Sequence, residues 1–268
     1  MLSMNNPNQT ITLHTETVGT GSDLVLLHGW GMNGGVWKML AEELSNHYRV
    51  TTIELPGHGH SPFTDDLYSL QDWADACLAA APEQAAWIGW SLGGLISIQA
   101  AISSPHRISK LALVTSTPCF IQTDDWPHAV VRGTLSTFAD TLRSDPQKTL
   151  ERFLALQVKG SVEAKPTLRR LRQDLHQHPA PNPTALDRGL HLLRESDLRS
   201  SLAQLQCPTL WLLGGRDTLT PASVAGDITQ LLPSAEIKLL PNAGHAPFLS
   251  HRVESITALR TFLEATDE

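Results

Sequence analysis

Residues Ala85–Leu95 read AAWIGWSLGGL. A short apolar run, Ala86–Gly89, meets a serine set between glycines, and helical spacing starts at once over Leu92–Ser103. An apolar run this short and nearly continuous is the pattern of a strand buried on both faces. The unit reads as strand, tight turn, helix. The same alternation extends outward in both directions. Leu24–Leu27 (LVLL), Arg49–Ile53 (RVTTI), Leu111–Thr115 (LALVT), Thr209–Leu213 (TLWLL) and Glu236–Leu240 (EIKLL) repeat the buried-strand run. Thr10–Val18 alternates instead, which suits an antiparallel edge strand. Between them, Val36–Asn46, Leu70–Ala81, Ala222–Leu232 and Arg252–Glu264 carry helical spacing. Strands alternating with helices predict an α/β fold with a mostly parallel central sheet flanked by helices.

One segment breaks the rhythm. Residues 124–206 are helical in pattern without a convincing strand, punctuated at Pro127, Pro146, Pro166 and Pro179–Pro183. The division expected is a core of residues 1–123 and 207–268 with a helical cap at 124–206. A cap is preferred over helices packed on the sheet's flank, because open α/β sheets bind ligands at their strands' carboxyl ends. The insertion leaves from such an end.

Gly89-Trp90-Ser91-Leu92-Gly93 is a G-x-S-x-G. Glycines flanking a serine are common by chance, so the strand–turn–helix setting carries the weight: it is the setting of a nucleophile elbow. Ser91 would stand clear of the chain at a helix N-terminus, where the dipole favours a developing oxyanion. A serine hydroxyl needs a base. Of twelve histidines, His245 follows the last strand in Leu240–Phe248 (LPNAGHAPF) and so returns to the same sheet edge. His28 suits an oxyanion loop better, and His106, His176, His178 and His191 are expected on solvated helices. The acid should fall between serine and histidine in chain order. Asp217, in Leu213–Pro221 (LGGRDTLTP), lies just past a strand, whereas Asp197 precedes that strand and Asp227 sits in a helical pattern. Two backbone N–H groups must serve the oxyanion, and Leu92 and Trp30, the latter in His28–Gly31 (HGWG), are the candidates.

Composition narrows the partners. The net charge of −7 speaks against nucleic acid, which selects basic surfaces. The charge is uneven: Trp126–Glu195 carries eleven Lys/Arg against seven Asp/Glu, and the rest of the chain nine against twenty. A basic segment on an acidic body hints at an acidic partner. Three scattered cysteines suit reduced thiols. The opening MLSMNNPNQT lacks a charged, apolar leader, with Met4 an alternative start, and no run nears the ~18 apolar residues of a membrane span. A cytoplasmic, monomeric chain is expected, with no membrane partner. Histidines without ligand spacing and the absence of a Gly-rich dinucleotide turn predict neither metal nor organic cofactor.

The blocks HGWG, Glu54–Ser61 (ELPGHGHS), GWSLGG, GGRDTLTP and NAGHAPF together resemble the α/β-hydrolase superfamily over nearly the whole chain. Five longer blocks narrow the likeness: HGWGMNGGVW, IGWSLGGL, Ser116–Phe120 (STPCF), Glu151–Gln157 (ERFLALQ) and GHAPFLSH. These are similar to the BioH family, the pimeloyl-[acyl-carrier protein] methyl ester carboxylesterases of biotin synthesis. The resemblance implies an α/β-hydrolase fold and hydrolysis of that methyl ester through Ser91, His245 and Asp217. It further implies that Trp30, Ser91, Leu92, Phe153, Leu154, Ala155, Leu156, Gln157 and His245 touch the substrate. Carrier proteins of such families are acidic, so the resemblance gives the basic insertion a role. Lys148, Arg152, Lys165 and Arg169, with Lys159, Arg170 and Arg172 nearby, would dock the carrier. Small esters should serve in vitro. The triad also fits a general short-chain carboxylesterase or a C–C bond hydrolase, and a relative that only binds would be expected to have lost a triad member. Ser91 speaks against haloalkane dehalogenases and epoxide hydrolases, which place Asp at the elbow.

Overall fold

The computed structural model describes residues 11–265. Seven strands form one sheet: β1 (Thr15–Val18), β2 (Ser22–Leu27), β3 (Tyr48–Ile53), β4 (Ala85–Trp90), β5 (Ile108–Val114), β6 (Thr209–Gly214) and β7 (Glu236–Leu240). Their spatial order is β1-β3-β2-β4-β5-β6-β7, parallel throughout except where β1 meets β3. β4 and β6 are buried along their whole length, which is why their sequences are uninterrupted apolar runs. β7 departs from that expectation. As the sheet's edge, it exposes Glu236, Lys238 and Leu239.

The predicted first strand is shorter than its alternation suggested, and Thr10 and the opening segment before it lie outside the described residues. Pairing with β3 holds only over Thr15–Val18. One residue earlier, the His14 N–H donates to Ser61 Oγ at 2.9 Å rather than to a strand. The first helical pattern splits too: a short 3-10 turn at Gly34–Trp37 precedes α1 (Lys38–Leu44). Asn33 opens that turn by accepting from Gly35 N–H.

α2 (Leu70–Ala80) begins with a capping box of Ser69 and Asp72, and α3 (Leu92–Ser103) follows β4 without a linker. Four helices stand between β5 and β6: α4 (Arg132–Ser144), α5 (Pro146–Gln157), α6 (Ala164–His176) and α7 (Pro183–Glu195). Proline occupies the first turn of both α5 and α7, where its missing N–H costs nothing, behind Asp145 and Asn182 caps. The chain closes with α8 (Val224–Leu231), the short α9 (Pro247–Ser250) and α10 (Arg252–Glu264). Among the described residues, no helix is long and apolar enough to cross a membrane.

The core is rich in aromatic rings. Trp37, Trp90 and Phe248 pack against one another, with centroids 4.3 Å apart for Trp37–Phe248 and 5.1 Å for Trp90–Phe248. Against the sheet, α3 lies so close that a Cβ at Gly89 would come within 2.6 Å of Gly93 O, Gly94 Cα and Ser97 Oγ. A Cβ at Gly93 would strike the carbonyl oxygens of Leu27 and His28. These are backbone atoms and cannot swing aside. Gly93→Ala is therefore expected to cost about 2–3 kcal/mol in urea unfolding, and a loss below about 0.5 kcal/mol would place it with ordinary surface changes.

Candidate active site

The site is built at the carboxyl ends of β2, β4, β5, β6 and β7. Ser91 follows β4 directly and has φ 55° and ψ −117°, a left-handed backbone that non-glycine residues adopt only when held there. Several bonds hold it. Its N–H donates to Val114 O at 3.1 Å, while its carbonyl accepts from Gly94 and Leu95 N–H and from Ser116 Oγ at 2.8 Å. Thr115, directly after β5, also has a positive φ, of 41°. The nucleophile strand and its neighbour thus turn off the sheet together.

His245 and Asp217 come together from 28 residues apart: the carboxylate Oδ2 lies 2.7 Å from the imidazole Nδ1, and both side chains are buried. Asp217 Oδ1 accepts the N–H groups of Leu219 and Thr220 at 2.8 and 3.1 Å. A carboxylate so positioned holds the ring through Nδ1, with Nε2 as the free acceptor. Among the described residues, that Nε2 is shielded from solvent and has no hydrogen-bond partner. The histidine's backbone is equally constrained. Its carbonyl accepts from Trp90 Nε1 and Thr115 Oγ1, both at 2.7 Å, and its N–H donates to Gln157 O at 2.9 Å. Trp90, the neighbour of Ser91, thereby ties the serine turn to the histidine loop. The rival acids are engaged elsewhere: Asp197 pairs with Arg199, and Asp227 with His128.

Beside Ser91 runs the His28–Gly31 loop, so near that a Cβ on Gly29 would sit 3.3 Å from Ser91 Cβ. Neither the Trp30 nor the Leu92 backbone N–H donates a hydrogen bond among the described residues. Two histidines that sequence reasoning did not place as a pair set the loop's shape. His28 donates from Nδ1 to Gly29 O and accepts Leu55 N–H on Nε2. His58 mirrors it, donating from Nδ1 to Pro56 O and accepting Gly31 N–H on Nε2. Each ring bridges the β2 and β3 loops as a neutral imidazole. Burial holds His28 well below the usual histidine range and lowers His58 to about 4.

The insertion closes the site from above. The Trp30 indole donates to Leu186 O at 2.8 Å and meets Phe153 edge-on at 4.7 Å. Phe153, Leu154 and Gln157 share the buried face of α5, and Gln157 Oε1 is a second shielded polar atom without a partner among the described residues. Leu156 is half-buried. Ala155, expected beside the substrate, is exposed, on a different face of the helix from Phe153 and Gln157. Of the basic residues, Lys148, Arg152, Lys165 and Arg169 are exposed. Arg170 and Arg172 are instead tied to Asp174 and Glu151. His178, expected in solvent, is largely buried. A cavity of 650 Å³ runs between the two parts, lined by Gly57, Gly59 and Ser61 below and by Leu150, His178 and Leu186 above. The three cysteines are unpaired, and burial raises the Cys119 thiol, leaving it no thiolate character.

A serine in a strained turn at this sheet edge, with a carboxylate-bound histidine on the same edge, is the arrangement of an α/β hydrolase, and the family model for the α/β-hydrolase fold matches residues 24–252. Solved structures agree on the fold: a bromoperoxidase from Bacillus anthracis superposes with a TM-score of 0.86 at 22% identity, over 95% of this chain and 96% of that one. Nearer relatives narrow it. The pimeloyl-[acyl-carrier protein] methyl ester esterase of Aliivibrio salmonicida is 44% identical over 259 residues, spanning 97% of this chain and 98% of that protein. That of Pectobacterium carotovorum is 44% identical over 241 residues, spanning 90% and 94%. The chain belongs to this esterase family.

The histidine staples make stability depend on acid. Below the ordinary histidine value of 6.5, the unfolded chain takes up a proton that buried His58 refuses down to about 4. Stability is therefore unaffected by His58 above that window and falls through it, by roughly 3 kcal/mol from this residue alone. His58→Gln should flatten that part of the profile in urea unfolding across the window. A variant slope equal to wild type would remove His58 from the account.

Proposed function

We propose that the chain hydrolyses the methyl ester of a pimeloyl group borne on acyl carrier protein, releasing methanol and the free carboxylate, in biotin biosynthesis. The observation that carries the mechanism is the Asp217–His245 pair. It fixes the ring through Nδ1 and leaves a shielded Nε2 without a partner.

In the reaction, Ser91 Oγ attacks the ester carbonyl while His245 Nε2 takes its proton. Asp217 stabilises the imidazolium so formed. The oxyanion receives the N–H groups of Trp30 and Leu92, together worth several kcal/mol of barrier. Collapse expels methoxide, which leaves as methanol with the proton from His245, and an acyl-serine remains. Water then attacks that ester, giving its proton to His245; the tetrahedral intermediate returns Ser91 and releases the acid. No step calls for a metal or organic cofactor.

Substrate reach comes from the insertion, read here as a cap over residues 124–206 on a core of 1–123 and 207–268. Trp30, Leu92, Phe153, Leu154 and Gln157 surround the ester, with Leu156 at the margin. The 650 Å³ cavity beside Gly31 and Leu150 is sized for a seven-carbon chain and its linker. For the carrier, α6 offers a groove lined by Lys165, Leu168, Arg169 and Arg172, and Lys148 and Arg152 extend the positive face from α5. Lys148, Arg152, Lys165 and Arg169 are exposed and make no ion pair among the described residues, and cations so placed speed encounter with an acidic partner. A cytoplasmic monomer that also cuts small free esters completes the reading. A general short-chain carboxylesterase of the same fold remains its alternative.

Methanol release from pimeloyl-carrier protein methyl ester should dominate over release from methyl butyrate, and Ser91→Ala should retain less than about 1% of it. Preference for the free ester would favour the general esterase. Arg152→Glu with Arg169→Glu should raise KM for the carrier-bound ester roughly tenfold, about 1.4 kcal/mol, and spare methyl butyrate. Equal effects on both substrates would move docking off the insertion.

A further inference from the structure

Away from the triad, four side chains meet at the rim of the 650 Å³ cavity. His14 lies just before β1, Glu54 just after β3, His60 six residues beyond it, and His178 between α6 and α7. Ligand atoms of His14, Glu54 and His60 all fall within 4.8 Å of one another. His178 Nδ1 lies 3.2 Å from Glu54 Oε1, and His60 Nδ1 lies 3.3 Å from Glu54 Oε2. The rings are grouped around the carboxylate, His60 lying 4.8 Å from His14 in a tilted pair and 5.5 Å from His178 edge-on.

Hydrogen bonding within the group does not account for it. His14 Nε2 and His178 Nδ1 are shielded from water and have no hydrogen-bond partner among the described residues, which is uncommon for buried nitrogen. The carboxylate is 2% exposed and held from behind by Gly34 N–H at 3.1 Å and His60 N–H at 2.6 Å. Gly59 is glycine for this reason. A Cβ there would overlap the Glu54 carboxylate, and its φ is +54°. Glu54 is thus fixed, ionisable and ringed by imidazoles with spare lone pairs.

We infer that His14, Glu54 and His60 form a site for one divalent transition metal of the zinc class, and that His178, which lies outside the group whose ligand atoms are within 4.8 Å of one another but 3.2 Å from Glu54 Oε1, completes it on a small side-chain movement. Imidazole with one carboxylate is a donor set suited to zinc. Bonds of 2.0–2.1 Å in a tetrahedron put ligand atoms about 3.4 Å apart, close to the two imidazole–carboxylate separations above. Three ligands belong to the sheet's loops and His178 belongs to the insertion. The metal therefore clamps the insertion at the cavity rim, away from Ser91. Metal replaces protons between groups already in contact, so the protein folds without it and is stiffened by it.

The test uses tag-free, chelator-stripped full chain titrated with zinc chloride, read by calorimetry, elemental analysis and thermal melting. One equivalent should bind and raise Tm. His60→Asn/His178→Asn should weaken binding at least tenfold and lose the Tm rise, while His106→Asn/His191→Asn binds like wild type. An unchanged far-UV circular dichroism spectrum certifies that each variant is folded. No binding, or equal binding by His60→Asn/His178→Asn, overturns the site. His178→Asn alone should keep weakened binding without the Tm rise; an affinity unchanged from wild type overturns the clamp.

Discussion

Ser91 sits in a backbone conformation that costs of the order of 1–3 kcal/mol, and much of the surrounding structure serves to hold it there. The turn requires that α3 start on the last residue of β4's exit. That brings helix and strand into backbone contact, and the contact admits only glycine at Gly89 and Gly93. The strained carbonyl is in turn occupied by Gly94, Leu95 and Ser116. Trp90, forced to face the opposite way from Ser91, spends its indole N–H on His245 O. One residue's φ thus fixes the relation between nucleophile and base, whose positions lie 154 residues apart in the chain.

The loops above the sheet obey a second constraint: each buried polar group needs a partner. Where backbone cannot supply it, a side chain from another loop does. His28 and His58 exchange bonds between the loops after β2 and β3, and Asp217 absorbs two N–H groups of its own turn. The insertion takes part on the same terms. Gln157 O receives His245 N–H, Leu186 O receives the Trp30 indole, and Asp174 O receives the Asn33 amide. Site geometry in this closed form therefore depends on helices that contribute no member of the triad.

Legibility in the sequence followed the range of the interactions. Strands and the serine turn announce themselves because apolar run, glycine and helical spacing are local signals. His245 and Asp217 were reachable because strand ends in a parallel sheet share one edge, so chain position alone selects them. The exposure of Ala155 was not legible because the seven-residue block Glu151–Gln157 cannot give helix register relative to a neighbour. β7 carries the apolar pattern of an inner strand but lacks a partner beyond it. The His28–His58 staple and the grouping of His14, Glu54, His60 and His178 left no trace in spacing. Each arises where loops from separate strands, or from the insertion, happen to be packed face to face.

Ser91 is 3% exposed and His245 1%, so on the proposed function a carrier-borne ester reaches them only by parting the insertion from the loop beneath it. Three hydrogen bonds and one aromatic contact join Trp30, Asn33 and His245 to the insertion. Net values near 1 kcal/mol each make these four contacts worth a few kcal/mol, to which the buried apolar side chains of the insertion add. A methyl ester is too small to repay that, and the triad alone would treat any accessible ester alike. On the proposed function, the energy comes from groups remote from the reacting bond: the acyl chain in the cavity and the acidic carrier on the basic helices. Binding spent there to open and then reclose the site raises the rate only for substrates that carry both. On this account selectivity resides in the insertion, and the sheet edge supplies a chemistry that is common to the fold.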